Sequence, residues 1–286
     1  MKFPYTLHTD IFPQPDQQIF YRLYRHRDNL TGRRLVLLHG AGVAGEDTWQ
    51  ALLAQLDMWS EVLVPDLRGM GQTVSPDGIE YPYTAQEVVT DVAQLLNHLG
   101  WQCFDLAGYS MGGLISMLYK QQYSQHVEKQ FLLESAAVDR GDWQASLELR
   151  AQYMQAAEHL GTDAEKGVRQ FLDTISPNRK VSPLVEKVTI ERLASRPLGF
   201  AHALKCVTDA LHDVDREALL AAQGDVSSFI GGNSVAAMHE YQRALAERLP
   251  NWHYFMVAGT DHSLPFQKPR QIAQVMQVEL ERYLAG

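Results

Sequence analysis

The stretch Leu106-Ala107-Gly108-Tyr109-Ser110-Met111-Gly112-Gly113 constrains this chain more than any other. It reads G-x-S-x-G. The apolar run before it, Cys103 to Ala107, predicts a strand, and the run after it, Leu114 to Tyr123, predicts a helix. A serine at a sharp strand-to-helix turn is forced into a strained backbone conformation, and its hydroxyl stands clear of both elements. Glycines on either side leave room that a Cβ would fill. The helix aims its first N–H groups at the same spot, where negative charge is favoured. Ser110 is therefore a candidate nucleophile. The competing possibility is an ordinary strand–helix turn, because small residues cluster in many loops; the flanking elements favour the nucleophile.

Two further segments fit the same site. Leu35 to Leu38 is a short continuous apolar run, as a strand buried on both faces requires. It leads into His39-Gly40-Ala41-Gly42, a glycine-rich loop whose backbone can approach a neighbouring strand end. The N–H groups of Ala41 and Met111 are candidates for an oxyanion hole. A plain packing loop would carry the same glycines, and the nearby Ser110 is what favours the oxyanion assignment. Near the other end, an apolar strand (His253 to Val257) precedes a loop bearing His262, and a helix follows from Pro269 to Leu284. The chain has 11 histidines, so most have other roles. His262 is the candidate base because a loop after a last strand can reach a serine at a parallel strand end, and because serine first and histidine last is a known triad order.

Taken in order, His39-Gly40, Pro65-Asp66-Leu67-Arg68-Gly69-Met70-Gly71, Gly108 to Gly113 and Gly259-Thr260-Asp261-His262 resemble the α/β-hydrolase superfamily, over a span from about Ile19 to Leu284. The resemblance implies an α/β fold with an eight-stranded, mostly parallel sheet, helices on both sides, and a helical cap inserted after the sixth strand. It also implies a carboxylate partner for His262, which most members place after the seventh strand. Here that strand is expected over Val226 to Ile230, and the loop Gly231-Gly232-Asn233-Ser234-Val235 holds no carboxylate. Asn233 can fix an imidazole tautomer but cannot balance imidazolium charge. Glu134 ends the apolar run Gln130 to Leu133, where a carboxylate is costly to bury unless paired. Its position resembles the acid of haloalkane dehalogenases and their relatives, so Glu134 is assigned as the acid. A carboxylate that merely binds a backbone loop is the alternative. Asp261 neighbours His262 but is expected to face away from it. The likeness to dehalogenases does not extend to their chemistry, since that branch uses an Asp nucleophile and polar halide ligands where this chain has Ser110, Ala41 and Met111.

The coarse organisation agrees. Ile19 to Arg25 alternates as an early antiparallel strand does. Trp49 to Leu56 predicts a helix, Glu61 to Val64 a strand, and Thr84 to Leu99 a helix opened by a Thr84/Glu87 capping box. Alternating strands and helices argue for a parallel sheet. Asp66 and Arg68 are expected to tie down a loop. From Val138 to Gln223 the rhythm breaks into helices, over Trp143–His159, Ala164–Thr174, Leu184–Ser195 and Leu198–Leu211. The expected division is a core of residues 1–137 and 224–286 with a cap of residues 138–223. Some of Tyr153, Met154, Phe171, Leu172, Phe200 and Leu204 should line a pocket under it.

A net charge of −9 without a basic cluster argues against nucleic acid as a partner. Two cysteines, Cys103 and Cys206, fit a reducing, cytoplasmic setting; Cys103 is expected to open a buried strand. Met1 to Ile19 has no long apolar core, so neither a signal peptide nor a membrane anchor is expected. The expected activity is hydrolysis of a small or medium-sized carboxylic ester, thioester or lactone through an acyl-enzyme on Ser110. A small molecule is the partner, and no cofactor or metal is needed. Carbon–carbon bond hydrolysis and cofactor-free dioxygen chemistry also occur on scaffolds of this kind, and a slow-turnover ligand-binding or signalling protein is the reading from a different class.

Overall fold

The computed structural model describes residues 3–29 and 31–286. Eight strands form one sheet: β1 (Tyr5–Pro13), β2 (Gln18–His26), β3 (Arg34–Leu38), β4 (Glu61–Pro65), β5 (Phe104–Tyr109), β6 (Val127–Leu133), β7 (Asp225–Gly231) and β8 (Trp252–Val257). Their spatial order is β1-β2-β4-β3-β5-β6-β7-β8. β1 and β2 are antiparallel to their neighbours, and β3 to β8 run parallel. This is the expected α/β-hydrolase fold.

The helices follow the burial pattern of the strands. β3 and β5 are apolar on both faces, so both faces need cover. On one face lie α1 (Gly45–Leu53) and the last helix, α11 (Pro269–Ala285); Trp49, Leu52, Ile272 and Met276 pack there against Leu35, Leu37 and Ala107. On the other lie α2 (Ala85–His98) and α3 (Met111–Gln122), whose Val88, Val92, Leu114 and Ile115 pack against Val36, Leu38 and Leu106. Thr84 and Glu87 form the full capping box that opens α2.

Between β6 and β7 the chain leaves the sheet and makes α4 (Trp143–Leu160), α5 (Ala164–Ile175), α6 (Pro183–Leu193), α7 (Pro197–Asp213) and the short α8 (Arg216–Ala221). Four of these match the sequence-predicted helices to within a few residues. The insertion has its own apolar cluster, in which Tyr153, Phe171, Ile190 and Phe200 meet. Val43, from the loop after β3, is buried in that same cluster. After β7 come α9 (Ala236–Arg248), which periodicity does not reveal, and after β8 the single turn α10 (Leu264–Gln267).

Several boundaries differ from expectation for identifiable reasons. α3 begins at Met111, directly after Ser110, rather than at Leu114; Gly112 and Gly113 read as turn residues, but they are the first turn of a helix pressed against its neighbours. α1 starts at Gly45, a turn before Trp49, because its Gly-Glu-Asp-Thr first turn carries no apolar signal. Cys103 lies just outside β5 and is exposed, so it does not open that strand. Asp66 and Arg68 do tie down loops. Asp66 accepts from Arg22 and from the Gly45 and Gln72 N–H groups, while Arg68 pairs with Asp91 and Asp16.

The N-terminal edge of the sheet is bolted by ions. Asp105, fully buried in β5, takes both arms of the Arg33 fork at 2.6 and 2.8 Å, the Trp59 indole N–H at 2.7 Å and the Lys129 backbone N–H at 3.2 Å. Removing the carboxylate strands a mostly buried guanidinium and two buried donors. Asp105→Ala is expected to lower unfolding free energy by about 3 kcal/mol or more. Urea melts of the two proteins at neutral pH measure the difference.

Candidate active site

Parallel pairing brings the C-terminal strand ends together. Leu38 pairs with Gly108, Tyr109 with Leu133, and Leu133 with Phe229. The loops after β3, β5, β6, β7 and β8 therefore open at one edge, where open α/β sheets hold their ligands. All five sequence-predicted residues lie at this edge.

Ser110 stands between β5 and α3 with φ 53° and ψ −114°. Glu134, the residue after β6, has φ 42°. Among the described residues these are the two non-glycine positions with positive φ. Such conformations persist only where surrounding contacts impose them. The Ser110 N–H donates to the Leu133 carbonyl at 3.0 Å, the Ser110 carbonyl accepts from Ala136 at 3.1 Å, and the Glu134 N–H donates to the Phe229 carbonyl at 2.9 Å. The two bent backbones hold each other.

The side chains form one hydrogen-bonded chain. His262 Nδ1 lies 2.7 Å from Glu134 Oε2, and His262 Nε2 lies 3.1 Å from Ser110 Oγ. A carboxylate only accepts, so Nδ1 carries the proton and Nε2 is left to accept from the serine hydroxyl. Glu134 and His262 are 2% and 6% exposed. The other carboxylate oxygen, Oε1, accepts from the Gly231 N–H at 2.7 Å and from Ser234 Oγ at 2.5 Å. Gly231 ends β7, and Ser234 lies in the loop that follows it. Together they hold the Glu134 carboxylate in place, and Asn233 makes its backbone contacts with Thr260 and Asn178. Asp261 turns away from the site and binds the Ser263 N–H and the Gln267 side chain.

One aromatic ring, itself backed by a second, flanks the imidazole. The Tyr109 ring lies 5.2 Å from that of His262, centre to centre, and packs edge-on against Phe266 of α10. Burial, then the nearby Glu134 and Asp261 carboxylates, push the Tyr109 hydroxyl well above its ordinary range, so it stays neutral.

The loop after β3 is shaped by a buried histidine. His39 Nε2 accepts the Leu67 N–H at 2.9 Å, so its Nδ1–H donates to the Gly40 carbonyl at 2.8 Å. Burial holds this imidazole below its usual pKa, and it serves as a neutral strut. Ala41 follows. The Ala41 and Met111 N–H groups take part in no backbone hydrogen bond among the described residues, and both residues line the cavity beside Ser110.

Ser110 faces two spaces. The larger, about 390 Å³, is an apolar cleft between the strand-edge loops and the insertion, lined by Val43, Phe171, Leu172, Val188, Leu193 and Phe266 among others. The smaller, about 40 Å³, lies deeper, beside Met111, Arg150, Tyr153 and Leu204. Of the insertion residues expected to line a pocket, Tyr153, Phe171, Leu172 and Leu204 do so; Met154 and Phe200 belong to the insertion's own core. Among the described residues no group of three or more His, Cys, Asp or Glu side chains could hold a metal ion, and no helix is long and apolar enough to cross a membrane.

A model of the alpha/beta hydrolase family matches residues 35–275. The chain belongs to that family. Lipase 1 of Psychrobacter immobilis is 32% identical over 126 residues, which cover 44% of this chain and 37% of the lipase. The chain thus matches well under half the length of that relative. A proline iminopeptidase of Lactobacillus delbrueckii subsp. lactis is 24% identical over 260 residues, covering 81% of this chain and 84% of that protein. A thermophilic esterase from Thermogutta terrifontis superposes with a TM-score of 0.72 over 97% of this chain and 99% of its own, at 21% identity, a likeness of fold. The family's members thus share this scaffold while their named substrates differ.

The glycines around Ser110 are set by contact. A Cβ on Gly112 would sit 2.2 Å from the Leu38 carbonyl oxygen and 2.6 Å from that of His39. Backbone atoms cannot swing aside as a side-chain tip can. Gly112→Ala is expected to destabilise the protein by about 3 kcal/mol, the upper part of the overpacking range, or to prevent folding. Thermal and denaturant melts measure it; a melt unchanged from wild type is the contrary result.

Proposed function

We propose that this protein is a cytoplasmic serine hydrolase that cleaves a small or medium-sized carboxylic ester through an acyl-enzyme on Ser110. The observation that carries the proposal is the continuous chain Ser110 Oγ, His262 Nε2, His262 Nδ1, Glu134 Oε2, with both links at hydrogen-bond length. Lipases and esterases among the similar proteins support the ester class.

In this mechanism His262 Nε2 takes the hydroxyl proton as Ser110 Oγ attacks the ester carbonyl. The tetrahedral oxyanion is held by the Ala41 and Met111 N–H groups, the latter reinforced by the α3 N-terminus. The imidazolium, balanced by Glu134, protonates the leaving alcohol. Water activated by the same imidazole then attacks the acyl-enzyme and releases the acid. Ser234 and the Gly231 N–H keep Glu134 aimed at His262. Placing the acid after β6 is the arrangement that resembles the dehalogenase branch, with serine chemistry in place of aspartate. Residues 138–223 act as a cap on a core of residues 1–137 and 224–286, and the 390 Å³ cleft beneath it sets the substrate size.

A fluorophosphonate should label the protein once, at Ser110, and Ser110→Ala should abolish labelling and lower turnover by about a thousandfold or more. Persistent labelling of the alanine variant would remove Ser110 from its role. Glu134→Gln keeps the shape but loses the charge, and turnover should fall by a similar order while the thermal melt stays close to wild type. Asn233→Ala should be mild by comparison; the reverse ranking would place the acid function elsewhere.

The cleft also predicts a preference. Esters with acyl chains of a few carbons should be hydrolysed faster than emulsified long-chain triglyceride in parallel pH-stat assays. Robust triglyceride hydrolysis would contradict a cap that encloses its substrate.

A further inference from the structure

The deeper, 40 Å³ cavity holds polar groups that the proposed mechanism does not use. Arg150 of α4 lines it, with a side chain 7% exposed. A guanidinium offers five N–H donors. Among the described residues Arg150 makes one hydrogen bond, from Nη2 to the Ala136 carbonyl at 3.1 Å, and its buried Nε has no partner. One carboxylate lies within 4.0 Å of it, Asp139 Oδ2 at 3.8 Å, beyond hydrogen-bond length. That carboxylate is already shared, with Ser146 Oγ at 2.8 Å and Arg140 Nε at 3.4 Å. Glu134 is committed to His262, Ser234 and Gly231. Beside the guanidinium, Tyr153 is 1% exposed; its ring lies 4.9 Å from Arg150 Cζ, and its hydroxyl has no partner either. The Arg150 Nε–H and the Tyr153 hydroxyl are thus two neighbouring buried donors without a hydrogen-bond partner, which native proteins seldom leave unmatched unless a ligand completes them.

We infer that this cavity receives a carboxylate carried by the ester substrate, with Arg150 and the Tyr153 hydroxyl as its donors. The inference rests on the proposed attack by Ser110, because Ser110 and His262 line the same cavity and the anion must sit a few bonds from the scissile carbonyl. The size fits. At roughly 10–15 Å³ for one water-sized group, the space of about 40 Å³ admits about three such groups, enough for the three heavy atoms of a carboxylate; the donors, not the volume, select the anion. A planar carboxylate also matches the guanidinium fork. The substrate class is then a mono-ester bearing one free carboxylate, with its apolar part in the larger cleft.

Matched ester pairs test this, one pair for each side of the ester. Monomethyl glutarate against methyl valerate places the charge on the acyl side, and 3-acetoxypropanoate against propyl acetate places it on the alcohol side. In one pair the anionic member should be favoured in kcat/KM by about ten- to a hundredfold, the range a charge-assisted hydrogen bond supplies. Arg150→Met should bring that ratio down to about one or below, and Arg150→Lys should recover part of it. Asp139→Asn removes the competing carboxylate and should raise the ratio. A purely structural Arg150 would lower both members of a pair alike, and circular dichroism shows whether each variant is folded. Preference for the neutral member in both pairs, or an unchanged ratio in folded Arg150→Met, overturns the inference while fluorophosphonate labelling of Ser110 leaves the hydrolase intact. Should labelling and turnover both fail, thermal shift with sodium glutarate decides alone. A rise in melting temperature in wild type that Arg150→Met loses supports the anion site, and no rise overturns it.

Discussion

The register between β5 and β6 governs the rest of the site. Because Tyr109 pairs with Leu133, the two strands end level, and the next residue of each must leave the sheet at the same height. Those residues are Ser110 and Glu134, and both do so through a left-handed backbone. Each bend is secured by a hydrogen bond to the neighbouring strand, Ser110 to Leu133 and Glu134 to Phe229. A slip of one residue would reverse every side chain of the strand and separate Ser110 from Glu134. The ions at the opposite edge, around Asp105 and Lys129, pin the same strands at their N-terminal ends, so the alignment at the site is set from both directions.

Ionic clusters lie at both edges of the sheet, Asp66 with Arg22 at the C-terminal one and Asp105 with Arg33 at the N-terminal one. At the N-terminal edge Lys129 lies buried against Asp225, Ser227 and Glu279. Immediately around Glu134 the supports are neutral donors, the Gly231 N–H and the Ser234 hydroxyl, with His39 held uncharged beneath the glycine loop. An active site that gains and loses a proton benefits from surroundings that do not titrate with it.

What the sequence disclosed depended on how local each signal was. Ser110 and His262 were legible because a turn between a strand and a helix, and a loop after a last strand, are short-range patterns. Glu134 stood out as a carboxylate ending an apolar run. Ser234 and the Gly231 N–H, which hold that carboxylate, were not legible, since their role exists only once β6 and β7 pair. The loop was searched for an acid and turned out to supply donors to one. Tyr109 and Phe266 escaped notice for the same reason. Among the elements, β1 exposes nearly every residue and so lacks alternation. α9 buries Met238, His239, Gln242 and Leu245, and two polar residues in its inner face erase the periodicity. Gln242 is inside because it bridges the Trp252 indole and the Val138 carbonyl.

The loop that carries Ala41 is fastened unusually. Val43 is buried in the apolar cluster of the helical insertion, and Gly42, at φ 75°, leaves no room for a Cβ against Phe200 and Leu193. One flank of the glycine loop is therefore anchored to the insertion, while His39 ties its root to the loop after β4 through the Leu67 N–H. The insertion thus covers the cleft and also shapes the loop beside it, so a change in its packing reaches the backbone next to Ser110. Trimming the five helices away would not leave a smaller, more open version of the same site, because the loop would lose the surface that gives it its shape.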